Sequence, residues 1–248
     1  MSSLPPAKPY ELLAERYDAV MAHVDYPGWA ALVRRIWKLY QRSPRRILET
    51  GAGTCRLAPF LAAPGRRIVS TDISAPMLAC GTARSRLRAC GDFRALPFAD
   101  DSFDAILCLY DAVNYCLTEN DLNAFFSEAR RVLEPGGILL FDATTGRNSR
   151  LNFADVVFHE VHGSTEVIRH SWYDGPSRAQ HNDFTFFHPL RDGTYSRRQE
   201  CHVQRVWQRQ AFVTSCKRAG LSPLTILNDD LRAAGPDTLR LHMVAIAP

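Results

Sequence analysis

Residues 47–62 read ILETGAGTCRLAPFLA, and the three parts of this stretch decide the fold. Ile47 and Leu48 are an apolar lead-in, Gly51 and Gly53 form a turn of small residues, and CRLAPFLA has the composition of a helix. Such a turn bends the backbone sharply and brings helix N–H groups close to a bound ligand. A dinucleotide-binding turn carries a third Gly or Ala at its sixth position, where helix packs on strand. That position is Arg56, so the dinucleotide pattern fails there. Two glycines alone also fit a turn that serves only strand–helix geometry.

Working outward, strands and helices alternate. RRILET (45–50), RRIVSTD (66–72), FDAILCLYD (103–111) and ILLFDA (138–143) read as strands, and APMLACGTARSRL (75–87) as a helix. TENDLNAFFSEARRVL (118–133) is a second helix, with Thr118 and Asp121 as a capping pair, an apolar stripe through Leu122, Phe125, Phe126, Ala129, Val132 and Leu133, and PGG as its stop. Upstream, YELLAERYDAVMAHVDY (10–26) is partly helical, and residues 28–43 form an amphipathic helix ended before Pro44. Uncharged strands alternating with helices predict a parallel sheet covered on both faces.

After Gly146 the texture changes. Residues 147–207 hold six of the eight histidines, and TEVIRHSWY, AQHNDFTFF and TYSRRQECHVQRVW read as strands joined at YDGPS and LRDG. This predicts an antiparallel addition to the parallel core. Residues 208–219 return to helix with Gly220 as its cap, and 221–247 supply a closing pair of strands.

Composition narrows the function classes. The formal charge of +4 is too small to argue for nucleic acid, and the clusters at Arg34–Arg46 and Arg84–Arg88 read first as solvated helix faces. The seven cysteines show no C-x-x-C, and no H-E-x-x-H occurs, so no metal site is expected. MSSLPPAKPY lacks the apolar core of a secretion signal, and no apolar run approaches the roughly 20 residues that span a bilayer. A cytoplasmic location without membrane attachment is the expectation.

Three carboxylates sharpen the glycine signal. Glu49 precedes the turn, Asp72 ends the second strand, and Asp92 follows the next segment. All belong at the strand ends where open α/β sheets bind ligands. Asp72 suits a ribose diol and Asp92 an adenine amino group. A pyrophosphate would be repelled, whereas a ligand with ribose, adenine and a positive centre would be held.

Together ILETGAGTC, VSTDIS, GDFRALPFADDSFDAILCLYDAVNYC and RVLEPGGILLFDA make the chain resemble the class I S-adenosylmethionine-dependent methyltransferases, small-molecule type, over about residues 40–145. The resemblance implies a Rossmann-like seven-stranded sheet, mostly parallel with an antiparallel terminal strand, plus a small antiparallel β cap. It implies N-terminal helices and a cofactor core over 1–146, a cap over 147–207, and a return to the core over 208–248. S-adenosylmethionine is the implied cofactor and S-adenosylhomocysteine the product. Gly51 and Gly53 would approach the methionine part and Asp72 the ribose. Ile73 and Phe93 would flank adenine and Asp92 would meet its amino group, with Glu49, Met77 and the backbone of Leu109 and Tyr110 completing the set. Tyr10, Tyr17 and Tyr26 would either close over the cofactor or pack the N-terminal helix. Thr50 and Cys55 depart from the family pattern.

For the acceptor, Asn114 and Tyr115 follow the third buried strand and are pocket candidates. His181, His188 and His202 are candidates for a base or polar anchor, with His181, His202 and Tyr115 placed in the chemistry. Trp172, Phe186, Tyr195 and Trp207 either wall the pocket or pack the cap, and Arg197 would meet an acceptor carboxylate. The expected reaction is in-line methyl transfer to N or O of a small molecule, by a monomer or homodimer. The alternatives are a protein or nucleic-acid acceptor, or cofactor binding without catalysis. Nucleic acid is disfavoured because an Asn/Asp-Pro-Pro-aromatic run is absent.

Overall fold

A computed structural model describes residues 5–248; the first four residues of the proline-rich N-terminus lie outside the described residues. Seven strands form one sheet: β1 (Arg46–Thr50), β2 (Arg67–Asp72), β3 (Arg88–Cys90), β4 (Phe103–Cys108), β5 (Leu133–Thr144), β10 (Ser222–Leu227) and β11 (Arg240–Ile246). Their order is β10-β11-β5-β4-β1-β2-β3. β1, β2, β3, β4 and β5 pair in parallel, and β11 runs antiparallel to both of its neighbours, as the resemblance implied. The order reverses between β1 and β4, which opens the crevice where doubly wound sheets take ligands.

Both faces are covered because the central strands are apolar throughout; Ala105, Ile106, Leu107 and Cys108 of β4 are all fully buried. On one face Leu48, Ile106 and Phe141 meet α5 (Glu119–Val132) and α7 (Arg209–Arg218) through Phe125, Phe126 and Phe212. On the other, Ile47, Leu107 and Leu140 meet α2 (Tyr26–Leu39) through Val33, Ile36 and Trp37. Thr118 caps α5 in a complete capping box with Asp121.

Several helices are shorter than the sequence suggests. The 10–26 stretch holds only α1 (Tyr17–Val20). The amides of Tyr10, Leu12 and Leu13 donate to the Glu200 carboxylate instead of starting a helix. α3 covers only Ala58–Leu61, because Cys55 joins Gly51 and Gly53 in the left-handed region and delays helical geometry. α4 is Ala75–Cys80 and stops at Gly81, which packs so closely on Thr54 and Cys55 that a Cβ there would approach within 2.9 Å. PGG does not separate α5 from the next strand. β5 begins at Leu133 and passes through it, with an irregularity in the β4 pairing between Phe103 and Ala105.

The cap is a four-stranded antiparallel sheet of β6 (Asp155–His162), β7 (Thr165–Asp174), β8 (Ala179–Pro189) and β9 (Tyr195–Arg205). β6 and α6 (Gly146–Asn152) were not read from the sequence. β6 alternates between exposed and half-buried residues along its whole length, so it lacks the apolar face that marks a strand. The inner face of the cap carries Val167, Phe184, Phe186, Glu200, His202 and Gln204, all buried. Leu13 of the N-terminal segment packs into Val167, Phe184 and Phe186. That segment, a strap over residues 7–16, lies between the cap and the sheet crevice.

Candidate active site

A cavity of about 780 Å³ opens at the carboxyl ends of β1, β2, β3 and β4 and is roofed by the strap. It falls within the range of about 300–1,000 Å³ that holds small molecules and cofactors. Its floor is the glycine turn. Gly51 and Gly53 have φ of 63° and 55°, a region where a Cβ is strained. A Cβ on Gly51 would also lie 2.8 Å from that of Ala112.

Asp72 stands beside this turn. Its Oδ2 accepts from the Gly53 amide at 2.8 Å and its Oδ1 from the Ser74 amide at 2.8 Å. Burial pushes its pKa up, and these amides oppose the shift. Each oxygen keeps a lone pair, and the residue lines the cavity, as a ribose-binding acid requires. Ile73, well exposed, lines the adjoining wall of the cavity with Phe93 and Met77.

Asp92 lines the same wall, but its carboxylate is engaged. Both oxygens accept from the Arg94 guanidinium, which also reaches Asp121 at 2.6 Å. Burial raises the Asp92 pKa, and the pairing with Arg94 outweighs it and holds the group below the usual range.

At the end of β4, Tyr110 and Asp111 both have positive φ, 62° and 48°, a strain of about 1–3 kcal/mol each. The turn is held from three sides. The Asp111 amide donates to Asp142 at 3.0 Å, Gln204 of the cap donates to Asp111 at 2.6 Å, and Arg240 bridges Asp111 and Asp142. Tyr110 packs against Trp29 with ring centres 4.6 Å apart and the rings tilted by 38°, and it lines the cavity with Leu109.

Of the residues assigned to the cofactor, Tyr17, Gly51, Gly53, Asp72, Ile73, Met77, Asp92, Phe93, Leu109 and Tyr110 line this one cavity. Glu49 and Tyr26 do not. Glu49 points into the sheet beneath the turn and accepts from Ser70 at 3.1 Å; burial pushes its pKa to about 7. Tyr26, first residue of α2, packs between Tyr110 and the Arg56 guanidinium.

Fewer of the acceptor candidates reach this cavity. Tyr115 lines the cavity, while Asn114, Trp172, Phe186, His188, Tyr195, Arg197 and Trp207 do not. Strand parity gives the reason for four residues. Trp172 and His181 are paired and stacked on the outer face of the cap, and Tyr195 and Arg197 share that outward parity. Phe186 is spent on Leu13 and the cap core. His188 bonds Thr165. The Trp207 indole donates to the Cys116 carbonyl, and Asn114, fully buried, joins Thr144 to Arg205. His202 is inward but behind Tyr115, whose hydroxyl it meets at 2.8 Å.

Lys8, Pro9, Glu11, Ser74 and Arg94 line the cavity unforeseen, and Glu200 anchors its roof. The spacing Glu200, His202, Gln204 was a usable signal, since three polar residues at every second position of a strand mark one face. A smaller concavity of about 340 Å³ carries Arg147, Arg150, Arg178 and Arg209 in its wall, a charge unsuited to a cationic ligand.

Comparison with known proteins agrees with this geometry. Residues 48–141 match the family described as Methyltransferase domain. A chain named only as a methyltransferase, from Geobacillus sp. (strain WCH70), is 30% identical over 92% of this chain and 95% of its own length. Among solved structures, an S-adenosylmethionine-dependent methyltransferase from Clostridium acetobutylicum ATCC 824 superposes with a TM-score of 0.79 at 21% identity, covering 96% of this chain and 98% of that one. A sugar N-methyltransferase from Streptoalloteichus sp ATCC 53650 superposes with a TM-score of 0.78 at 18% identity, covering 98% and 96%. At these identities the two structures establish a shared fold.

Proposed function

This chain belongs to the class I S-adenosylmethionine-dependent methyltransferases, and from that premise we propose that it methylates a nitrogen or oxygen of a small molecule by in-line displacement. The observation that carries this reading is one cavity of about 780 Å³, which joins the glycine turn and Asp72 to an end bordered by Tyr115 and by the strap residues Lys8, Pro9, Tyr10 and Glu11. A protein or nucleic-acid acceptor would have to displace the strap to reach Tyr115.

When bound, S-adenosylmethionine supplies an activated methyl group on a sulfonium. Gly51 and Gly53 would leave room for its methionine part, Asp72 would take the ribose hydroxyls, and Ile73 and Phe93 would flank the adenine. Tyr110 and Tyr115 border the reacting end. The protein's task is to align a nucleophile behind the methyl carbon and exclude water. Holding the sulfonium charge alone would not lower the barrier.

The test combines calorimetry with an acceptor screen using methyl-labelled cofactor. Asp72→Ala is expected to weaken binding of S-adenosylmethionine and of its demethylated product by about 1.5–3 kcal/mol per lost bond. Label is expected on N or O of a small acceptor. Unchanged affinity in the variant removes Asp72 from the site, and transfer only to protein or nucleic acid overturns the small-molecule reading.

A further inference from the structure

Four side chains outside the cofactor cradle form one continuous hydrogen-bonded line from the cavity into the cap. The hydroxyls of Tyr10 and Tyr115 are 2.8 Å apart, the Tyr115 hydroxyl is 2.8 Å from His202 Nδ1, and His202 Nε2 is 2.7 Å from Glu200 Oε1. Tyr10 and Tyr115 line the cavity. His202 and Glu200 are 2% and 0% exposed.

The partners fix the direction of the line. Glu200 also accepts from the amides of Tyr10, Leu12 and Leu13 at 2.8, 2.6 and 3.2 Å. Burial raises its pKa, but His202 and these amides prevail and hold it below the ordinary range, so it is a carboxylate that only accepts. Nε2 of His202 therefore carries the hydrogen, and a neutral imidazole presents a bare Nδ1. Tyr115 donates to that nitrogen, Tyr10 donates to Tyr115, and the Tyr10 oxygen is left with a lone pair and no proton to give. Burial raises the pKa of both phenols, so they pass protons rather than lose them. Tyr10 is held in place by a left-handed backbone (φ 63°), by the clasp on Glu200, and by its carbonyl accepting from Ser74 at 3.1 Å.

We propose that Tyr10, Tyr115 and His202 form a proton relay, positioned by Glu200, that takes a proton from a hydroxyl or alkylammonium group of the acceptor. This rests on the methyl-transfer reading above. The acceptor proton passes to Tyr10, the Tyr10 proton to Tyr115, and the Tyr115 proton to His202 Nδ1, giving an imidazolium paired with Glu200. The freed lone pair on oxygen or nitrogen forms the new bond to the methyl carbon, and the electrons of the broken carbon–sulfur bond stay on sulfur. One positive charge thus leaves the sulfonium and one appears on the imidazole; with an alkylammonium acceptor the methylated nitrogen keeps the second. The same proton-transfer logic joins histidine to a carboxylate in hydrolases, where the acid sets the tautomer.

Two measurements test it. In the cofactor-free chain, nitrogen NMR of the imidazole is expected to show His202 as the Nε2–H tautomer, with that preference weakened in Glu200→Gln. An Nδ1–H tautomer in the unmodified chain overturns the relay. For turnover, methyl-labelled S-adenosylmethionine is supplied with matched alcohols, phenols and amines of graded acidity, and Tyr10→Phe and Tyr115→Phe are compared with the unmodified chain. Both substitutions keep the ring packing, and thermal unfolding verifies that they fold.

For acceptors that arrive protonated, kcat is expected to fall roughly 100- to 10,000-fold in each variant, the span of general acid–base catalysis, while cofactor affinity stays within about twofold, well below the tenfold that 1.4 kcal/mol represents. For phenols already ionised, or amines already neutral, at the assay pH the loss is expected to shrink below about tenfold, since general acid–base help is then not needed. Equal losses across the series assign the tyrosines a packing role and overturn the relay. Transfer with undiminished rates in both variants also overturns it and leaves methyl transfer standing. Tight cofactor binding with no label on any acceptor overturns both.

Discussion

Glu49 and Asp72 end neighbouring strands on the same side of the sheet, yet they do different work. Asp72 holds two backbone amides and faces the cavity. Glu49 has one hydroxyl partner, lies almost wholly buried, and has its pKa pushed to about 7 by burial and then by Asp72, with Ser70 opposing. A carboxyl whose pKa rises on folding stabilises the folded chain below its unfolded value and loses that contribution as pH climbs through the folded value. The window here runs from about 4.5 to about 7. Glu49→Gln keeps the bond from Ser70 and removes the titration. The variant is expected to match the unmodified chain near pH 4 and to exceed it by about 3 kcal/mol at pH 8, in denaturant melts at both values, from a shift worth about 1.4 kcal/mol per pH unit. A difference that does not depend on pH would show that folding leaves the Glu49 pKa unchanged.

At the scale of the element, the two turns at the carboxyl edge of the sheet store strain for the site. Gly51→Ala places a Cβ at φ 63° and 2.8 Å from Ala112. Stability is expected to drop by about 1–3 kcal/mol, with cofactor affinity lost in parallel by calorimetry. Affinity retained in a folded variant would mean the ligand does not approach this turn. The β4 turn depends instead on Arg240, which neutralises Asp142, a carboxylate 0% exposed. Arg240→Met strands that charge and is expected to cost on the order of 3–5 kcal/mol. Adding Asp142→Asn should restore most of it in the same melts, and a double variant no better than the single one would count against the ion pair as the holding force. These elements also show what sequence can convey. The glycine turn, Asp72 and the buried strands were legible because each imposes a local pattern of small residues, a strand-end acid or an uncharged run. Arg240 and Asp111 were not read as partners, because 129 residues separate them and no local period links them. The outward parity of Trp172, His181, Tyr195 and Arg197 was likewise hidden, since a strand reads as alternating without revealing which face meets the core.

Across the whole molecule, the strap ties the cap to the sheet. Ala7 pairs with the edge of β9, Tyr10, Leu12 and Leu13 donate to Glu200, and Ser74 of the cofactor edge donates to Tyr10. Its side chains add the Tyr10–Tyr115 and Arg16–Thr165 hydrogen bonds and one small apolar cluster around Leu13, but no regular helix or strand forms over residues 7–16, and moving covers are drawn from such weakly held segments. Because Lys8, Pro9, Tyr10 and Glu11 line the cavity, ligand exchange is expected to involve lifting of the strap, with the Glu200 charge setting the cost. Glu200→Gln replaces a charged acceptor of three amides by a neutral one, and bonds to charged groups are about twice as strong. Both association and dissociation of S-adenosylmethionine are therefore expected to accelerate, several-fold each, while the dissociation constant changes much less. Stopped-flow fluorescence checks this, with amide exchange at Tyr10, Leu12 and Leu13 rising in the same variant. Unaltered rates alongside faster amide exchange would show that the strap opens without gating the ligand, and that the cofactor enters along the exposed Ile73 edge instead.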